Sequence, residues 1–253
     1  MYCEKPASEP RSANAKYTKR TSPKKNNITF TIMDTAIAEE YGNINSSVEY
    51  FLKFKIPKEA RILDIGCSYG SLLYKLHEFG YTNLQGIDVN KKLIEMGKKE
   101  YPVIKDRIEY YPGDIIPFED NSFDVVLMFD VIEHIPDIHI FLANQVYRII
   151  KKEGKFIFQT PNKFINIPWE IIHNYSLTAY KKYHCSLQSL SSLRMILENA
   201  KFKNIILEKH NIITDHNKKK LKKNIGSLGL PLLHIIQRMP LSISSNFWGN
   251  CKK

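Results

Sequence analysis

The hydrophobic positions of this 253-residue chain change period along its length, and each change marks an element. Short runs rich in Ile, Leu, Val and Phe fall at 61–65, 83–88, 107–111, 123–129, 155–160 and 203–209, and their length reads as strand. Between them, at 70–79, 90–100, 138–151 and 188–200, apolar residues recur every three or four positions, the spacing that gives a helix one apolar face. Upstream, Asp34 can cap a helix carrying Ile37, Tyr41, Ile44, Val48, Phe51 and Leu52, with Gly42 and Asn43 as an interruption. Downstream come a basic linker, an apolar stretch near 228–239 and a last strand near 245–251. Strands that alternate with helices pair in parallel, because a crossover helix returns the chain to the same edge of the sheet. The pattern therefore predicts an α/β domain built on seven strands. Residues 161–187 show no clear period and read as a lid or binding loop.

Charge divides unevenly along the chain. The net charge is +11, yet residues 1–30 hold seven Lys/Arg and two Glu, and residues 216–253 hold eight Lys/Arg and no acid. The body between them is close to neutral, so the basic character belongs to the ends. Residues 1–30 read as a basic disordered extension, 31–210 as the organised domain, and 211–253 as a basic linker, an apolar segment and a last strand of that domain. Cysteines at 3, 67, 185 and 251 show no C-x-x-C spacing, so neither a zinc site nor a disulfide framework is expected. The polar N-terminus lacks the apolar region of a signal peptide, and no 18 apolar residues run together. These features predict a cytoplasmic protein.

Ligands of a doubly wound sheet bind at the carboxyl ends of its strands, which directs attention to the polar residues there. The first strand runs as Arg61-Ile-Leu-Asp-Ile-Gly-Cys-Ser-Tyr-Gly70, an acid followed by two glycines and a helical pattern. Glycine permits positive φ and lets a ligand approach the backbone. Asp88 ends the second strand, where a carboxylate can accept both hydroxyls of a ribose, and Gly113-Asp114-Ile115 follows the third, where an acid and an apolar neighbour can meet an adenine edge. The G-x-G-x-x-G spacing that cradles the pyrophosphate of a dinucleotide is absent from 66–70. A nucleoside ligand without pyrophosphate fits better.

Leu63-Asp-Ile-Gly-Cys-Ser-Tyr-Gly70 resembles the glycine motif of the class I S-adenosylmethionine-dependent methyltransferases. The likeness continues through Asp88, Gly113-Asp114, Asn121-Ser-Phe-Asp-Val-Val126 and Asp130-Val-Ile-Glu-His-Ile-Pro-Asp137, and so spans about residues 34–210. It implies a Rossmann-like doubly wound, mostly parallel seven-stranded sheet with helices on both faces. It also implies that Gly66, Gly70 and the backbone of Phe129 border the methionine part of S-adenosylmethionine. Asp64 would orient the glycine loop or the amino group, Asp88 would hold the ribose, and Asp114 with Ile115 the adenine. The chain departs from many relatives at Ser68, where they have glycine.

The Glu-His-Ile-Pro-Asp run resembles ubiquinone-biosynthesis-type O-methyltransferases. His134 is the expected general base, since a neutral imidazole can take a hydroxyl proton near physiological pH, with Glu133 beside it. A purely structural turn before Pro136 is the competing reading. Asp130, Glu133 and His134 offer two oxygens and a nitrogen to a divalent ion, an incomplete set, so no metal ligand is assigned. Trp169, His173, Tyr175, Tyr180, Tyr183 and His184 in the 161–187 segment suit a ring-shaped or saccharide acceptor, with His184 as an alternative base. The partner is expected to be a small-molecule or lipid-linked substrate. Lys218-Lys-Lys-Leu-Lys-Lys223 beside an apolar stretch adds peripheral membrane contact to the expectations. RNA methylation through the basic ends and a non-catalytic, cofactor-binding scaffold are the rival readings, and the near-neutral body disfavours the first.

Overall fold

The computed structural model describes residues 44–253 except 179–180, 182–183, 210–217, 219–221 and 223–225. Asp34, Ile37, Tyr41 and the extension before them lie outside the described residues, as do Tyr180, Tyr183 and most of the basic linker. The elements are α1 (Ile44–Leu52), β1 (Ile62–Ile65), α2 (Ser71–Glu78), β2 (Leu84–Asp88), α3 (Lys91–Glu100), β3 (Ile108–Tyr110), β4 (Phe123–Phe129), α4 (Ile138–Phe141) and α5 (Tyr147–Ile149). They continue as β5 (Ile150–Pro161), α6 (Lys163–Asn174), α7 (Leu190–Asn199), β6 (Lys203–Glu208), α8 (Gly229–Arg238) and β7 (Asn246–Lys252).

The seven strands form one sheet in the order β3-β2-β1-β4-β5-β7-β6. β1 to β5 pair in parallel, and β7 lies antiparallel between β5 and β6. Alternating side chains supply two cores, as a sheet covered on both faces requires. Ile62, Val125, Leu127 and Ile157 face α1, α2 and α3 through Phe51, Leu73 and Ile94. Leu63, Val126, Met128, Phe156 and Phe158 face the opposite layer, which holds Leu142, Ile149, Leu193 and Leu197. Inner strands buried on both faces explain why the sequence shows continuous apolar runs instead of strict alternation.

Two expectations change. The helix read across 138–151 is interrupted by a π-helical turn at Leu142–Val146 and stops at Ile149, because Ile150 already pairs with Phe123 in the sheet. The segment read as an irregular insertion begins instead with α6, capped by the Asn162 side chain, which accepts from the Phe164 N–H at 3.1 Å. Pro168 inside α6 reads as a helix breaker in sequence, and that masked the element. Among the described residues Cys67 and Cys251 are buried free thiols. No helix among the described residues is long and apolar enough to cross a membrane.

Candidate active site

Strand order reverses direction between β1 and β4, so their following loops leave toward opposite faces and open the sheet's ligand-binding position. After β1, Gly66 turns with φ +79°, and a Cβ there would sit 2.4 Å from Val131 Cγ2. Gly70 turns with φ +82°, and its Cβ would sit 2.8 Å from Ile104 Cδ1. Both glycines are thus demanded by left-handed backbone and by packing against neighbouring loops. Val131 lies two residues beyond β4, so Gly66 seats the loop after β1 against the turn that carries Glu133 and His134. Ser68 also sits in the left-handed region, φ 53°, a conformation that glycine adopts without strain.

Asp88 holds this loop in place. Its carboxylate accepts from Ser68 N–H at 2.8 Å and from Asn90 N–H at 2.7 Å, which fixes both oxygens at the end of β2. Asp64, only 4% exposed, stands nearby. Burial, and then the negative charge of Asp88, raise its pKa well above the carboxylate range. A second anion beside a buried one favours a cationic ligand group. Gly70 gives α2 no side-chain cap, so the first amides of that helix suit a ligand carboxylate.

The loop after β3 carries Asp114, exposed, and Ile115, 67% exposed. Two residues that sequence reasoning passed over fix this loop. Gln145, in the π-helical turn, accepts from Ile116 N–H through Oε1 at 3.1 Å. Arg148 donates to Ile116 O and Phe118 O and pairs with Asp120. Val89, 37% exposed, follows Asp88 and was also missed; like Ile115 it is an apolar side chain at a strand's carboxyl end with solvent on it. A flat apolar ligand surface would cover both. Gly97 was missed as well: its Cβ would lie 2.1 Å from Tyr69 O, so only glycine lets α3 lie against the glycine loop.

Phe129 ends β4 and packs toward Trp248, ring centroids 5.8 Å apart. Asp130 follows with φ 54°, its N–H shared by the Gln159 carbonyl and side-chain oxygens. The next turn, Ile132–His134, is a short 3-10 helix in which Glu133 and His134 are 2% and 8% exposed. Thr160 Oγ1 donates to Glu133 Oε2 at 3.0 Å. Glu133 Oε1 lies 3.8 Å from His134 Nε2, an electrostatic distance longer than a hydrogen bond. His184 brings a second imidazole, ring centroids 5.1 Å apart, and Ser186 N–H bonded to Glu133 O holds that stretch in place. Ligand atoms of Glu133, His134 and His184 all lie within 4.8 Å of one another, close enough to share one cation. His184 thereby takes the place that sequence reasoning gave to Asp130. The signal for it was only an imidazole in an aperiodic segment.

A doubly wound sheet of this order, with a glycine turn lacking dinucleotide spacing and a carboxylate at the end of the next strand, is that of the S-adenosylmethionine-dependent methyltransferases. A family model described as a methyltransferase domain matches residues 37–207, and the chain belongs to that family. Among curated proteins it resembles demethylmenaquinone methyltransferase of Lactobacillus johnsonii, 26% identical over an alignment of 211 residues that covers 70% of this chain and 86% of that one. It also resembles a sterol 4-C-methyltransferase of Caenorhabditis elegans, 26% identical over 165 residues, 63% of this chain and 49% of that one. The ubiquinone biosynthesis O-methyltransferase of Pelagibacter ubique is 34% identical over 107 residues, 42% of this chain and 44% of that one. The chain therefore spans most of the first of these and about half or less of the other two. Phosphoethanolamine N-methyltransferase 2 of Haemonchus contortus, solved with S-adenosyl-L-methionine, shares the fold at TM-score 0.59 and 17% identity, over 87% of this chain and 56% of that one.

Proposed function

We propose that the protein methylates an oxygen of a small or lipid-linked acceptor, with His134 as general base. The observation that carries this reading is the burial of His134 and Glu133 together, braced by Thr160, at the carboxyl end of β4. Bound S-adenosylmethionine supplies a methyl group on a cationic sulfur that leaves readily. Asp64 receives its ammonium group, Asp88 its ribose hydroxyls, and Val89, Asp114 and Ile115 its adenine, while Gly66, Gly70 and the Phe129 backbone border the methionine part. His134 takes the acceptor hydroxyl proton at Nε2, and the Glu133 carboxylate favours the resulting imidazolium. Thr160 keeps Glu133 from rotating away. Holding the acceptor oxygen in line contributes most of the rate, about 7–11 kcal/mol, and the base adds roughly 10²–10⁴-fold. The relatives named for quinone biosynthesis support an acceptor of that apolar, ring-bearing kind.

The test pairs two variants. His134→Gln should retain cofactor affinity by calorimetry while the turnover number falls about 10²–10⁴-fold, and Asp88→Ala should lose affinity. Methyl-labelled cofactor with fractionated lipid, sugar, small-molecule and RNA pools identifies the acceptor. Full turnover in His134→Gln, or label entering only RNA, would defeat the reading. A second reading follows from the cluster of Glu133, His134 and His184: these side chains would hold a divalent cation, which would supply Lewis-acid chemistry toward the acceptor hydroxyl. Chelator treatment separates the two, since activity lost and then restored by added Mg²⁺ or Zn²⁺ favours the cation.

A further inference from the structure

Two segments leave the active-site edge of the sheet and carry apolar side chains into solvent. α6 starts one residue after β5 ends at that edge. β7 runs antiparallel to β5, with Asn246 opposite Pro161, so the chain following α8 enters β7 at the same edge. Asn162 ties the two together. Fully buried, it donates from Nδ2 to Ser242 O at 2.9 Å and to Ser244 O at 2.8 Å. Lys209 Nζ holds the other segment by donating to Gln237 O at 2.6 Å, beside the end of α8.

Among the described residues sixteen large apolar side chains are exposed, and seven of these lie at 164–177 or 230–239. Phe164 is 63% exposed, Leu177 75%, Leu230 47% and Ile235 57%. Isolated exposed apolar residues are ordinary, but so many on two tethered segments call for an occupant. Charge identifies it. Lys163, Lys181, Lys222 and Arg238 are exposed on or beside the same segments. Residues 216–238 hold six basic residues and no acid, and 161–187 hold three Lys against the single acid Glu170. Exposed apolar side chains on segments whose charge is mainly basic suit a surface that is anionic outside and hydrocarbon inside.

We propose that α6, α8 and their flanking turns dock this enzyme on the anionic surface of a lipid bilayer. α6 follows on β5, whose Thr160 holds Glu133, so docking brings the acceptor entrance to molecules held in the bilayer. The inference rests on the lipid-linked reading of the acceptor for its purpose, and on these side chains alone for its physics.

Flotation of the full chain with vesicles tests it. Phosphatidylcholine vesicles with about a third phosphatidylglycerol should carry the protein, and pure phosphatidylcholine vesicles should carry much less. Reversing charge in Lys222→Glu with Arg238→Glu should weaken binding about tenfold or more, as should removing apolar contact in Phe164→Ser with Ile235→Ser. Both pairs should leave S-adenosylmethionine affinity and the thermal midpoint unchanged. No flotation with anionic vesicles, or flotation that neither pair weakens, overturns the proposal. So does a wild-type dimer in sedimentation velocity that Phe164→Ser with Ile235→Ser dissociates, since a second copy would then cover these side chains. Failure here with intact cofactor binding leaves the catalytic reading standing, whereas full turnover in His134→Gln leaves the docking face standing.

Discussion

Single residues in the site answer to backbone geometry and charge. At Gly66, alanine would meet both a left-handed φ and Val131 at 2.4 Å. Gly66→Ala should lose about 2–4 kcal/mol in chemical denaturation, and Val131→Ala in the same chain should restore only the part due to the clash. Asp64 yields a pH prediction. Its folded pKa is raised by burial and by Asp88, so the folded state binds this proton more tightly than the unfolded chain. Stability from this group is therefore full below the ordinary carboxylate range and is lost as pH rises through the raised value. Bound cofactor places a cation where the ionised form needs one, so the thermal shift it produces should grow over the same rise in pH. Asp64→Asn should flatten both dependences in thermal melts with and without S-adenosylhomocysteine or S-adenosylmethionine. The sequence pointed to Asp64, Gly66 and Asp88 through their places after strands. It was silent on Gln145 and Gly97, whose significance is a contact with residues far along the chain, and on Val89, whose significance is its exposure at a strand's carboxyl end.

Elements show how packing can reverse the sign of a local preference. Replacing a helical glycine by alanine ordinarily stabilises by about 0.8–1.0 kcal/mol. In α3 the same change, Gly97→Ala, drives a methyl into Tyr69 O and should instead destabilise by about 1–3 kcal/mol while weakening cofactor affinity, as denaturation and calorimetry would report. The π-helical turn at Leu142–Val146 belongs to this scale too, because it carries Gln145 to the backbone of Ile116. Gln145→Ala should loosen the loop bearing Asp114 and Ile115, seen as faster amide exchange at 113–118 with the rest of the sheet unchanged. Periodicity gave most strands and helices to within a few residues. It failed at α6, where Pro168 breaks the local pattern while Asn162, bonded to Ser242 and Ser244, supports the helix from outside.

For the whole molecule the decisive feature is the placement of the last strand. β7 joins β5 to β6 through Phe247, Trp248 and Cys251, all buried, so the C-terminal residues complete the interior of the sheet. Removal of residues 246–253 should strand β6, expose Phe158 and leave a chain without a cooperative thermal transition by circular dichroism. A change in an exposed end residue such as Lys222 should alter membrane association and leave that transition in place.

Strand-helix alternation, the glycine turn and the acids one unit apart determined the fold class and the methyl donor, because both depend on residues close in sequence or repeated at a fixed period. Tertiary structure decided what period cannot encode. It set the antiparallel entry of β7 between two earlier strands, the meeting of His184 with Glu133 and His134, and the common edge shared by α6 and α8. Each of these joins residues separated by tens of positions, and their proximity follows from how the two layers close over the sheet.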